Sequence, residues 1–341
     1  MSEAGTLHRE PTPRLQVEDA VALMNSMNST SPTNNTTHIE ILPSHARTDG
    51  WFVAVRLPWA SDKILRLPSG SGQHYADARF RERCDADGAF MIVFRSRYLR
   101  TGEIWFDEDP SDEPVDVLLY MHRPEPVASA KCQESPTLLV DLKQDAEVLL
   151  AAMPKDTRYE IRRAADKDKV VSLQSGTACT DLLPAFFEFY DRFASMKSIP
   201  LAPRTRLAKL AGAGALELTR ATDPDGKDLV WHAYFRGARR VRLLHSGSVF
   251  RDSDDKDFRN LVGRANRCLH WQDMLYFKQR GIVAYDFGGW YVGDSHEDFL
   301  RVNQFKREFG GKVEQGYICH QVLTAKARLA FRVVRMLGKT K

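Results

Sequence analysis

The chain has 341 residues, 43% of them hydrophobic and 28% charged, with a formal net charge of +4. These proportions belong to a globular protein that buries a real core, and they exclude a disordered or fibrous chain. Cys84, Cys132, Cys179, Cys268 and Cys319 are scattered and never form a C-x-x-C pair, so neither a disulfide framework nor a zinc site is expected and a reducing compartment fits best.

Residues 1–38 are polar, rich in Ser, Thr and Asn, and carry no apolar signal-peptide core; a disordered tail and a cytoplasmic location are expected. No run of about 18 apolar residues follows anywhere. The runs Trp51–Leu57, Ala89–Phe94 and Val115–Met121 are short, β-prone and bounded by Gly, Pro and acidic residues, which predicts a sheet. The stretch Pro124–Pro136 is polar and irregular, the place for a boundary or crossover. Then come a predicted strand Thr137–Leu142, a helix opened by Asp145, a second helix from near Pro154, and a strand Val170–Leu173. Leu182, Phe186, Phe189, Tyr190 and Phe193 recur at helical spacing within Asp181–Met196 and read as core. Strands are predicted at Ala215–Ala221, Leu229–Arg236 and Arg240–Ser246, then a long helix Phe258–Gln279 that Gly281 ends. Strand Ile282–Phe287, the turn Gly288–Gly289, a helix His296–Glu308 and a last strand through Tyr317 complete the pattern. Adjacent strands among alternating helices predict a mixed α/β sheet.

Two stretches carry a family likeness. The first is Leu149-Leu-Ala-Ala-Met-Pro-Lys-Asp-Thr-Arg-Tyr-Glu-Ile-Arg-Arg-Ala-Ala165; the second is Tyr285-Asp-Phe-Gly-Gly289, followed by Phe305-Lys306-x-x-Phe309-Gly-Gly311 and Tyr317. In this order, with strand, long helix and strand between, they resemble the FemAB family of aminoacyl-transferases and the related GNAT-like proteins of polysaccharide clusters. The resemblance implies an α/β fold, a GNAT-like mixed sheet flanked by helices or two such halves in tandem. The implied layout is an N-terminal half at 39–135, a catalytic half at 136–322 and a basic amphipathic helix at 323–341. It also implies transfer of an acyl or aminoacyl group onto an amine of a cell-envelope polysaccharide or peptidoglycan precursor. No permanently bound cofactor is expected. The donor would be acyl-CoA or aminoacyl-tRNA, and the acceptor a nucleotide- or lipid-linked sugar or peptide. No heptad arm for tRNA and no R/Q-x-x-G-x-G/A pyrophosphate loop for coenzyme A is found.

Within the likeness, Phe305 and Lys306 fall on the family's Phe-Lys pair of the reaction cleft, where Lys306 would neutralise an oxyanion or a donor phosphate. Without it, Phe305 and Phe309 read as core contacts and Lys306 as a solvated neighbour. Gly288 and Gly289 suit a turn, and their amides could hold an anion. Asp286 either caps that turn or orients the attacking amine and accepts its proton. Arg158 and Arg162, four residues apart, share a helix face that suits a diphosphate or, with Glu160, Asp166 and Asp168 nearby, a solvated ion-pair surface. His232 and His245 sit on predicted central strands as general bases or as hydrogen-bonded sheet residues. Tyr317 completes the substrate-binding set that the family pattern implies. No metal site is expected.

Leu323, Ala327, Phe331, Val334 and Leu337 repeat at helical spacing beside Lys326, Arg328, Arg332, Arg335, Lys339 and Lys341, and no acid follows Glu314. That pattern suits a helix lying on an anionic membrane surface, here the inner face, or packing on the domain with its charges solvated. The competing functions are an acyl-CoA N-acetyltransferase acting on a soluble small molecule and a nucleic-acid-binding or scaffold protein, which the basic balance favours but no recognition motif supports.

Overall fold

A computed structural model describes residues 39–42, 51–56, 64–69, 91–96, 98–176 and 179–337. The tail expected over residues 1–38 lies outside the described residues. The chain divides into two compact units, residues 1–70 with 328–341, and residues 71–327. In the first, strands β1 (Ile39–Leu42), β2 (Trp51–Arg56) and β3 (Ile64–Ser69) form an antiparallel sheet in that order.

The second unit contains two mixed sheets. One is built from β4 (Ile92–Arg95), β5 (Arg100–Trp105), β6 (Val117–Arg123), β7 (Lys131–Glu134) and β15 (Tyr317–Val322), in the order β4-β5-β6-β15-β7, with β5 and β6 parallel. The other has seven strands: β8 (Thr137–Asp141), β9 (Val171–Gln174), β10 (Leu216–Thr222), β11 (Asp228–Arg236), β12 (Arg240–Ser248), β13 (Ala284–Gly289) and β14 (Lys312–Glu314). Their order is β14-β8-β13-β12-β11-β10-β9, and β12 and β13 are parallel. A parallel neighbour requires a long crossover. Here it is helix α5 (Lys256–Gln279), started by Asp255, whose carboxylate accepts from the amides of Asp257 and Phe258, and followed by Gly281 at φ +80°. The remaining helices are α1 (Ala146–Ala151), α2 (Lys155–Asp166), α3 (Cys179–Lys197), α4 (Arg204–Gly212), α6 (Glu297–Arg307) and α7 (Ala325–Leu337).

The aromatic stripe of α3 is core, as its spacing predicts: Phe186, Phe189 and Tyr190 are buried, and Trp231 of β11 meets Phe186 and Phe189 edge-on or tilted. Trp105 of β5 stacks on Phe235 of β11 with centroids 3.8 Å apart and planes within 9°, joining the two sheets. Such a pair contributes about 1 kcal/mol beyond its buried area. The last strand, expected through Tyr317, is present as β15. Although it follows the strands of the seven-stranded sheet in sequence, β15 pairs with β6 and β7 and so completes the other sheet.

That register also corrects the reading of the cysteines. Cys319 lies directly opposite Cys132 on the neighbouring strand, and the two form a disulfide across a sequence separation of 187. Neither spacing nor count could reveal it, because it depends on a long-range strand pairing. Cys179 and Cys268 are buried and free.

Candidate active site

Strands β12 and β13 run together for only three pairs, Arg240 with Ala284, Val241 with Tyr285 and Arg242 with Asp286, and then part. Two local features open this fork. On β12 the pairing with β11 slips, so that Ala233 faces His245, Tyr234 faces Leu243, and Leu244 is the extra residue of a bulge. On β13, Gly288 adopts φ +82°, where a side chain is strained, and a Cβ there would sit 3.2 Å from the carbonyl oxygen of Leu243. Leu243–Ser246 are therefore only half-buried in the middle of a sheet. Among the described residues, no strand pairs with that edge of β12 beyond Arg242.

Charge collects where the strands part. The buried carboxylate of Asp286 accepts from Nη2 (2.6 Å) and Nε (3.2 Å) of Arg240, Nη1 of Arg242 (2.7 Å) and the amide of Gly288 (2.8 Å). The Thr137 hydroxyl lies between this carboxylate and the carbonyl oxygen of Gly288. Burial pushes the Asp286 pKa up, but Arg242, Arg240 and Thr137 overcome it and hold the group well below the usual carboxylate range. Asp286 thus fits an anchor for two guanidiniums and the Gly288 turn; the proton-acceptor role considered from sequence does not fit a carboxylate so strongly held in its charged form.

Lys306, on α6, is 9% exposed, and its Nζ donates to the carbonyl oxygen of Gly289 at 2.5 Å. The solvated-neighbour alternative is therefore excluded. Burial, reinforced by Arg242 and opposed by Asp286, lowers its pKa to about 8. Asp286 is one anion against the three cations Arg240, Arg242 and Lys306, which leaves the fork with excess positive charge. Phe305 is half-buried beside His270 and Phe309, at centroid distances of 5.6 and 5.4 Å, with the Arg267 guanidinium 5.2 Å from its ring centre.

The two histidines part company. His232 is wholly buried toward α5, its Nδ1 2.9 Å from Oδ2 of Asp273 and its Nε2 2.9 Å from Oδ1 of Asn266. Tyr234, Tyr285, His270 and Thr219 extend this network, with the two phenol oxygens 2.6 Å apart. His245 lies on the half-exposed part of β12, edge-on to Tyr190 at 5.0 Å, and burial together with Arg206 lowers its pKa to about 4. Of the two, only His245 lies on the stretch of β12 past its pairing with β13.

Arg158 donates to the carbonyl oxygens of Ala151 and Met153, both at 3.0 Å, closing the end of α1. Arg162 is exposed on α2 with no ion-pair partner among the described residues. Neither touches Lys306. Tyr317 stands at the start of β15, opposite Arg123 and Glu134 in the five-stranded sheet. Arg240, Arg242 and Thr137 were missed in the sequence. A signal for the arginines existed, since an Arg-Val-Arg alternation in a strand places both guanidiniums on one face.

No protein-family model matches the sequence, and no curated protein matches it. Solved structures do match by fold. FemX aligns with a TM-score of 0.52 at 11% identity, over 83% of this chain and 90% of its own. The C-terminal domain of a lysylphosphatidylglycerol synthetase candidate from Agrobacterium fabrum aligns at 0.46 and 14%, over 76% and 96%. L-PGS from Bacillus licheniformis aligns at 0.43 and 11%, over 74% and 87%. The chain thus has the two-sheet, GNAT-like fold of FemX, as the resemblance in its sequence implies.

Proposed function

We propose that the protein is an acyltransferase that moves an acyl or aminoacyl group from acyl-CoA or aminoacyl-tRNA onto an amine of a nucleotide- or lipid-linked cell-envelope precursor. The reaction takes place at the fork between β12 and β13. The observation that carries this reading is Lys306, a nearly buried amine fixed by one carbonyl beside an unpaired strand edge. In the reaction an uncharged acceptor amine forms a C–N bond as the donor's C–S or C–O bond breaks. The leaving sulfur or oxygen takes the electron pair and, in the net reaction, the proton that the amine gives up. Negative charge builds meanwhile on the carbonyl oxygen. An ammonium has three N–H donors and Gly289 uses one, so two remain for that oxygen. The free edge at Leu243–Ser246 supplies backbone groups along which an extended donor can lie.

Arg162 remains an acceptor ligand in this reading, and α7 is the contact with an anionic inner membrane surface. Its exposed Leu329 lies beside Arg328 and Arg332. No helix among the described residues is long and apolar enough to cross a membrane.

The test is transfer of a labelled acyl or aminoacyl group to an amine-bearing envelope precursor. Lys306→Ala is expected to lower single-turnover transfer at least about tenfold while the protein stays folded. Undiminished transfer by that variant removes Lys306 from the chemistry.

A further inference from the structure

Beside α6 lies a cavity of about 650 Å³, bounded by Trp290–Gly293 and by Leu300, Asn303 and Arg307. Its size is that of a small-molecule site. The start of the wall is fastened by two side chains buried from solvent. Lys306 holds Gly289, and Asn303, 6% exposed, accepts from the amide of Tyr291 at 3.2 Å and donates to its carbonyl oxygen at 2.7 Å. The cavity is therefore built into the fold and does not depend on a ligand to shape it. Its wall begins at Trp290, the residue directly after the Gly289 whose carbonyl holds the Lys306 amine.

Its lining has two characters. Val292 is 80% exposed and Leu300 38%, apolar surface that gains by being covered. Among them stands a cation without an anion. Arg301 is matched by Glu297 and Asp298, at 2.9 and 3.5 Å, whereas Arg307 has no acidic partner among the described residues and lays its guanidinium over the Trp290 ring at 4.8 Å. A guanidinium stacked on an indole keeps its N–H edge free to bind phosphate or carboxylate.

We propose that this cavity binds an amphiphilic anion, a phosphate or carboxylate carried on an apolar body, with the anion on the Arg307 guanidinium and the body against Val292 and Leu300. Resting on the acyl-transfer reading, it is the port through which the acceptor reaches Lys306. Two sources carry that chemistry, a membrane lipid and a soluble phosphate ester.

Calorimetric titration of the full chain with monomeric octyl phosphate tests the site without any turnover. Octyl phosphate is expected to bind at least tenfold more tightly than octyl glucoside, which has the chain without the charge, and than inorganic phosphate, which has the charge without the chain. Arg307→Gln should abolish the preference over octyl glucoside. Val292→Asp, a change on an exposed loop that places a like charge beside the ligand, should weaken octyl phosphate at least tenfold and serves if Arg307→Gln does not fold. Sedimentation with phosphatidylglycerol vesicles separates the sources: Arg307-dependent co-sedimentation assigns a lipid, and its absence a soluble ester. Equal binding of octyl phosphate and octyl glucoside, or octyl phosphate binding that neither substitution alters, overturns the proposal. Because no donor is present, loss of the cavity and loss of the Lys306 chemistry are read separately.

Discussion

Lys306 brings an amine out of water with a single carbonyl as its hydrogen-bond partner, and the fold is strained toward the neutral form as a result. Its pKa is about 8 in the folded protein and 10.5 in the unfolded chain, so the unfolded state binds the extra proton between those values. Stability therefore rises with pH across that window. Below pH 8 the full penalty applies, about 3 kcal/mol from a shift of this size. Lys306→Met is accordingly expected to raise the urea midpoint at pH 7, and its advantage should shrink as pH is raised from 8 to 10.5. A difference between the two proteins that does not vary with pH would show that the amine is not held in this way. Residues that give up stability in this manner are the ones to associate with function, and in the reaction proposed above this buried charge faces the forming oxyanion.

The turn that follows α6 shows how an element holds such a residue in place. Gly310 has φ +76°, and a Cβ on Gly311 would come within 2.4 Å of Leu138 and 2.6 Å of the carbonyl oxygen of Leu139. The pair of glycines lets β14 close on β8 and so brings α6 against the sheet. Gly311→Ala is expected to destabilise the protein by roughly 1–3 kcal/mol through overpacking, whereas Gly289→Ala, with nothing within 4 Å of its added Cβ, should change the urea midpoint little. Similar midpoints for the two variants would contradict this packing. Elements of this kind are the part of the structure most legible in sequence. The stripe on α3, the length of α5 with Gly281 after it, and the Phe-Lys pair on a helix all follow from periodicity, end signals and motif. What could not be read is what register decides: that Arg240 and Arg242 would converge on Asp286, that Asn303 would clasp Tyr291, or that Cys132 would meet Cys319. The strand Arg100–Trp105 escaped for a related reason. Its buried Glu103 pairs with Arg206 of α4 and breaks the apolar pattern.

Across the molecule, polar side chains are buried neutral as well as charged, and the histidines make acid the condition to which the fold is most sensitive. Burial lowers the pKa of His122, aided by Arg242; of His270, aided by His232; of His245, to about 4, aided by Arg206; and of His320, aided by Lys131. Each of these groups binds a proton near pH 6.5 once unfolded and stays neutral to lower pH when folded. The stability they contribute is therefore present in full above about 6.5 and is lost as pH falls toward their folded values. At pH 5 His245 favours the unfolded chain by about 2 kcal/mol relative to neutral pH, and the other histidines act in the same direction against a stability of about 5–15 kcal/mol. Asp286 does not share this window, because its guanidinium partners keep it charged well below it. The urea midpoint is expected to fall steeply between pH 7 and pH 5, with uptake of at least about two protons per molecule on unfolding near pH 5.5. His270 provides the internal control: it is enclosed by Phe287, Phe305 and Phe309 and contacts the Tyr285 hydroxyl at 2.7 Å. His270→Gln keeps a polar partner for that hydroxyl and removes one titrating group, so the slope of stability against pH should drop by about one proton. A midpoint that stays level from pH 7 to 5, or a slope that His270→Gln leaves unchanged, would mean that the histidines reach water in the folded protein.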